Sequence, residues 1–174
     1  DAEELLSAAN IGHVARCRGT RRCRQRLVAI ENCASDHDET HFARPTDIAF
    51  LPDGTFFVSD GYTNTRVVKF DRSGKYVTSW GTPGSGPSQF RTVHSIQFDS
   101  KDRAYVSDRE NNRIQIFDNN GTLLKTWNHL GSTQGIWISP KDEMYILTHR
   151  NNVENITADT LAGRLMKVDL ESGK

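Results

Sequence analysis

The stretch FRTVHSIQFDSKDRAYVSDRENNRIQIFD, from Phe90 to Asp118, decides how the rest of the chain is read. Its apolar residues fall in three short runs, Ile96–Phe98, Ala104–Ser107 and Arg113–Phe117. Each run is too short for a helix, is rich in β-branched and aromatic residues, and is closed by Asp, Asn or Ser, which predicts strands. A polar turn, Ser100–Arg103, and a tight polar loop, Asp108–Asn112, separate them.

The same pattern stands on either side. Upstream, FARPTDIAFLPDGTFFVSDGYTNTRVVKFD (Phe42–Asp71) places Ile48 against Ile96 and Asp60 against Asp108, both 48 residues apart. Downstream, Ile136 and Tyr145 follow Ile96 and Tyr105 by 40 residues, and Arg164 answers Arg113 after 11 extra residues. Asp71–Gly74 leads into the apolar run Lys75–Trp80, and Asp118–Gly121 leads into Thr122–Trp127, which supplies a fourth strand. Four short strands per unit, at a period of roughly 40–50 residues, predict β-propeller blades. The fold expected is all-β, with blades over 42–81 and 90–127 and an incomplete one over 133–174, preceded by an arm and linker over 1–41. Propellers close with about four to eight blades. The chain, which opens on Asp1, is therefore read as a fragment of a longer ring, with self-association through open blade edges expected.

The 174 residues carry 22 basic and 22 acidic side chains, so no global charge points to nucleic acid or a membrane surface. No run of about 18 apolar residues exists for a transmembrane helix. The compartment stays open, with a secreted or periplasmic location expected. Residues 1–34 match no blade; Leu5, Leu6 and Ala9 suggest a weak helical stripe, and Arg18, Arg21, Arg22, Arg24 and Arg26 make a basic cluster. Without interleaved aromatics that cluster reads as a solvated arm. Cys17, Cys23 and Cys33 all lie there, and an odd count without Cys-x-x-Cys fixes neither a disulfide nor a zinc site.

Residues that recur between blades read as scaffold. Asp60 and Asp108 end a strand and enter loops that close on Asn64 and Arg66, or Asn112 and Arg113, so the carboxylates are expected to bind turn amides and pair with arginine across the hairpin. Residues that differ are the candidates for function. Inner-strand starts carry Thr46, His94 and Gln134, of which only His94 is a metal-ligand type, and one histidine cannot hold zinc alone. The loops after the second strands carry Gly61-Tyr62, Arg109-Glu110 and His149-Arg150, and the third is enlarged by Asn151–Leu161. A phenol, a guanidinium and an imidazole gathered at one channel end suit acid–base work and anion binding. The bland alternative is a hydrogen-bonded channel histidine and ordinary polar loop tips.

From Phe42 to Lys174 the repeats resemble NHL-type propeller repeats. They are more closely similar to the peptidyl-α-hydroxyglycine α-amidating lyase (peptidylamidoglycolate lyase) family. The residues that carry this are Arg44-Pro45-Thr46-Asp47, Val58-Ser59-Asp60-Gly61-Tyr62, Gln89-Phe90, Val93-His94-Ser95 and Asp108-Arg109-Glu110-Asn111 with Arg113-Ile114-Gln115. The resemblance implies a six-bladed ring with zinc held in its channel by three histidines from alternate blades, and a structural calcium. It implies cleavage of a peptide ending in α-hydroxyglycine to a peptide amide and glyoxylate. Carried over by position, His94 is a zinc ligand, Tyr62 the base and Arg109 a site arginine. The remaining histidines and a further arginine belong to blades outside this chain, so the fragment alone is expected to be inactive. Zinc would supply a lowered pKa for the substrate hydroxyl, and Arg109 a bidentate partner for a carboxylate. Two other readings stand beside this one. The first is a non-catalytic NHL propeller binding a protein or other ligand on one face. The second is a lactonase-like calcium hydrolase, which would need a carboxylate cluster that Asp47 alone does not make.

Overall fold

The computed structural model describes residues 41–149 and 163–174. The arm with its cysteines and arginines, and the insertion Asn151–Leu161, lie outside the described residues. The first blade is β1 (Asp47–Phe50), β2 (Phe56–Asp60), β3 (Arg66–Phe70) and β4 (Tyr76–Trp80), paired in that order. A crossover follows, holding β5 (Thr82–Pro83) and β6 (Gln89–Phe90), which pair in parallel. The second blade is β7 (Val93–Phe98), β8 (Ala104–Asp108), β9 (Arg113–Phe117) and β10 (Leu123–Trp127), again paired in chain order. The third is β11 (Ser132–Ile138), β12 (Met144–His149) and β13 (Arg164–Val168). All blade pairings are antiparallel. The chain is thus a β-propeller of three consecutive blades, the third with three strands among the described residues. No described helix is long and apolar enough to cross a membrane.

The turns form where the sequence supplies residues that tolerate positive φ. Gly54 (φ 89°) and Asp102 (φ 58°) close the first turns of their blades, and Asp142 (φ 61°) does so in the third. Gly74 and Gly121 close the hairpins between third and fourth strands. The aspartates that open these hairpins, Asp71 and Asp118, accept backbone amides two and four residues on.

Strand alternation sends each blade's apolar residues to both of its neighbours. Ala49, Leu51, Phe57 and Val67 of the first blade pack against Val93, Ile96, Ala104, Val106 and Phe117 of the second. From the second blade's other face, Tyr105, Ile114, Ile116 and Trp127 pack against Ile136, Ile138, Met144, Ile146 and Val168 of the third. Side chains such as Phe57, Val67, Ile96 and Met144 are fully buried, each contributing about 1.5–3 kcal/mol of transfer free energy. On the third blade the opposite phase of the same strands holds Trp137, Leu147 and Leu165, which are exposed. Of the innermost strands, β7 meets both β1 and β11, bringing the residues at their starts to one end of the assembly.

Candidate functional site

The site end is built by one clamp used twice. Asp60 is fully buried at the end of β2. Its Oδ1 accepts the Ala43 amide at 2.9 Å, and its Oδ2 accepts Asn64 Nδ2 at 2.6 Å and Arg66 Nε at 3.1 Å. In the second blade Asp108 accepts the Arg91 amide at 2.9 Å, Asn111 Nδ2 at 2.7 Å and Arg113 Nε at 2.7 Å. The carboxylates therefore anchor the chain as it enters the inner strand, rather than a turn amide as the sequence suggested. The expected match of Asn64 with Asn112 is also corrected: the clamping residue is Asn111, because the second loop is one residue shorter and turns through a 3-10 segment, Arg109–Asn111. Asn112 (φ 55°) instead takes the left-handed position that Thr65 (φ 50°) takes in the first loop. In the third blade Thr148 stands where the aspartate would be, opposite Arg164.

Held on these clamps, the differing residues converge. Tyr62 Oη lies 3.3 Å from His94 Nε2, with the two rings edge-to-face at 5.9 Å. Arg109 Nη1 donates to Tyr62 Oη at 3.2 Å, and its guanidinium lies 5.2 Å from the centre of the tyrosine ring, a cation–π distance. His94 Nδ1 is 2.6 Å from the Gln134 carbonyl oxygen. A carbonyl only accepts, so Nδ1 carries a proton that it donates to Gln134, and Nε2 faces the Tyr62 oxygen. One chain of donors thus runs from Arg109 through Tyr62 and His94 to the backbone of the third blade. Tyr62 remains 48% exposed, so the site is open to solvent. His149 closes β12 opposite Ser132.

Two supporting groups escaped the sequence reading. Glu110 Oε1 accepts Arg109 Nε at 2.9 Å, which turns the guanidinium so that Nη1 meets Tyr62, and Nη2 has no partner among the described residues. The residue was visible beside Arg109, but its function as a brace was not. The Gln134 carbonyl that fixes the imidazole is a backbone group and leaves no trace in residue type.

Close approach explains the glycine before Tyr62. A Cβ on Gly61 would sit 1.6 Å from the Val93 carbonyl oxygen, the oxygen that accepts Thr46 Oγ1 at 2.7 Å. Thr46 also bonds Ser59 Oγ at 2.9 Å, so this inner-strand start ties two blades together. Ser95 Oγ does the same one step on, donating to Asp47 Oδ2 at 2.7 Å and accepting the Ile136 amide at 3.1 Å.

His94 has its Nδ1–H on a carbonyl, an arrangement that metal-binding imidazoles share, while its Nε2 contacts Tyr62 Oη. No cluster of three ligand-type side chains occurs among the described residues.

A family model described as "6-bladed beta-propeller" matches residues 36–161. The chain is 50% identical over 97 residues to a Rattus norvegicus protein named peptidylglycine alpha-amidating monooxygenase, which covers 52% of this chain and 10% of that protein. It is 37% identical over 92 residues to peptidyl-alpha-hydroxyglycine alpha-amidating lyase 1 of Drosophila melanogaster, covering 47% and 17%. It is 30% identical over 122 residues to the Homo sapiens NHL repeat-containing protein 3, covering 67% and 35%. The chain spans from about a tenth to about a third of the length of these relatives.

Proposed function

This chain belongs to the six-bladed β-propeller family, and on that premise we propose that it forms part of a lyase that cleaves peptides ending in α-hydroxyglycine to a peptide amide and glyoxylate. The observation that carries this reading is the donor chain Arg109–Tyr62–His94–Gln134 at the open channel end. The amidating lyase named among the relatives supports it.

In this reading the free Nη2 edge of Arg109 takes the terminal carboxylate of the substrate, with Glu110 holding the guanidinium in place. The substrate carbon then lies beside the Tyr62 oxygen. Tyr62, acting in its phenolate form, takes the proton from the α-hydroxyl and becomes the phenol. The oxygen electron pair closes to the aldehyde carbonyl of glyoxylate, the carbon–nitrogen bond breaks, and the nitrogen leaves as the amide after taking that proton from Tyr62, which returns to the phenolate. Arg109 Nη1, 3.2 Å from the Tyr62 oxygen, pairs with the negative charge of that phenolate before the proton arrives.

His94 would hold a zinc ion through Nε2 in place of the Nε2–Tyr62 hydrogen bond, with the other ligands supplied from outside the described residues. Bound there, zinc supplies Lewis acidity toward the substrate hydroxyl. A structural calcium and a secreted or periplasmic location go with the same reading. The test is glyoxylate release from a model α-hydroxyglycine peptide by the whole protein, with and without chelator. Chelator-sensitive release supports the reading, and no release by folded, zinc-supplied protein overturns it.

The likeness to an NHL repeat-containing protein, whose name states no reaction, supports a second reading. There the same end of the propeller binds a ligand without turnover, and His94 is an ordinary channel residue.

A further inference from the structure

Two arginines beside the site have no function in the chemistry above. Arg44 precedes β1 and is exposed, with φ at 65°. Arg91 precedes β7 and is exposed as well. Neither side chain has a hydrogen bond or ion pair among the described residues. Their backbones are nonetheless fixed against the two functional loops. The Ala43 amide binds Asp60 Oδ1, next to Gly61 and Tyr62. The Arg91 amide binds Asp108 Oδ1, next to Arg109, while the Arg109 amide binds the carbonyl of Thr92. The clamps hold Arg44 beside the tyrosine loop and Arg91 beside the arginine loop.

Little near them offsets their charge. Asp60 and Asp108 are buried and already paired with Arg66 and Arg113. Asp47 is bound by Ser95 Oγ and the Ile48 and Ile96 amides and, as the one carboxylate there without a cationic partner among the described residues, offsets part of the charge. Glu110 is bound to Arg109. The opposite end differs: there Asp71, Asp118 and Asp169 cap turns, and Glu171 faces Lys101 and Arg103. The described part of the site end therefore presents unpaired positive charge in two places flanking Tyr62 and Arg109, and the other end is mixed.

We propose that Arg44 and Arg91 form a specificity rim that selects peptides with acidic side chains just upstream of the reactive terminus. The proposal rests on the lyase reading for the position of that terminus. With Arg109 on the terminal carboxylate, the peptide must leave the channel past this rim. An extended chain advances about 3.4 Å per residue, so the acidic residue recognised falls within roughly four residues of the reactive one. An exposed charge pair supports a preference of about two- to fivefold per arginine at low salt, and physiological salt screens it over about 8 Å.

The experiment uses the whole protein and peptides ending in α-hydroxyglycine that differ only in carrying Glu, Gln or Lys two and three residues before the end. We expect kcat/KM to rank Glu over Gln over Lys, with a Glu-to-Lys ratio of about tenfold or more at low salt that shrinks as salt is added. In the double variant R44Q/R91Q the Glu-to-Gln ratio falls to about one. A ratio near one in the unaltered protein, or one that survives the double variant, overturns the proposal and leaves the lyase reading standing. If no peptide is turned over, the lyase reading fails. Fluorescence anisotropy with the same peptides, labelled at the amino end, then decides the rim separately: Glu-over-Lys binding abolished in R44Q/R91Q upholds it, and equal binding rejects it.

Discussion

The loops after β2 and β8 share a skeleton and differ at their tips. In both, a buried aspartate binds the amide that opens the inner strand, an asparagine three or four residues on, and an arginine across the hairpin. Between these fixed points the first loop presents Gly61-Tyr62 and the second Arg109-Glu110, and the tips touch each other. The repeated residues build the end of the propeller, and the unrepeated ones equip it. That division can be broken or sharpened by substitution.

The largest effect on the skeleton is expected from Asp108→Ala. It leaves Arg113, only 10% exposed at its side chain, without its carboxylate. Breaking such a buried pair costs about 3–5 kcal/mol, and three backbone carbonyls that still accept from Arg113 put the expected loss at the lower end. Chemical denaturation of the whole protein measures it. A loss below about 1 kcal/mol, the range of an exposed pair, would remove the clamp from the account.

Gly61→Ala attacks the contact between the two loops. The added methyl collides with the Val93 carbonyl, one residue before His94. Overpacking of this kind costs about 1–3 kcal/mol, and here the displaced strand carries the imidazole. The expected outcome is a modest loss of stability with a disproportionate shift of the His94 ring resonances in NMR. Unchanged resonances would show that the loop, and not the strand, gives way.

Thr65→Asn tests the one place where the first loop is worse built than the second. Thr65 is β-branched at φ 50°, whereas the second loop has Asn112 at φ 55°. A left-handed conformation costs a non-glycine residue about 1–2 kcal/mol, and asparagine tolerates it better. A stabilisation of about 0.5–1 kcal/mol is expected on thermal unfolding, with no gain sinking the idea that the loop is strained.

Much of this was legible beforehand. The period of 40–48 residues gave the blades, and alternation within FRTVHSIQFD and its partners gave the strands to within one to three residues at their ends. The run Thr82–Ser88, between the two expected blades, contains β5, whose pairing with β6 has no alternation to announce it. The convergence of Tyr62, His94 and Arg109 was expected from their places in the repeat, and the structure brings them together. What composition could not reveal were contacts made by backbone. The Gln134 carbonyl, the Ala43 and Arg91 amides and the Val93 carbonyl carry the geometry of the site without any residue type marking them. The slip that pairs Asn64 with Asn111 was hidden for a similar reason, since Asn111 and Asn112 are adjacent and only loop geometry tells them apart.

The smallest effect expected is on pH dependence, and it belongs to the end away from the site. Hydrogen bonds from Ser100 to Asp142, across the second and third blades, hold that carboxyl below its ordinary value of 3.8. Backbone amides, led by that of Thr122, do so for Asp118. A depressed carboxylate stabilises the fold above its unfolded value, and that stability is lost as pH falls through the folded value. At the alkaline side, burial and then Asp99 raise the Tyr105 phenol above 10.0. Its contribution is complete below that value and is lost as pH rises through the folded one. Melting temperature should therefore be flat from about pH 5 to pH 9 and fall outside that window, with Ser100→Ala lowering the plateau and making the acid limb shallower. An acid limb unchanged by Ser100→Ala would remove Asp142 from the explanation.

The most direct measurement of the division between skeleton and tips sets Tyr62→Phe beside Asp108→Ala in the whole protein, recording glyoxylate release from an α-hydroxyglycine peptide and stability for each. On the proposed lyase reading, Tyr62→Phe keeps its unfolding midpoint while turnover falls by about 10²–10⁴-fold. Asp108→Ala should lose stability, and its activity should return at low temperature where it remains folded. Full turnover by Tyr62→Phe, or a loss of folding comparable to that of Asp108→Ala, would contradict it.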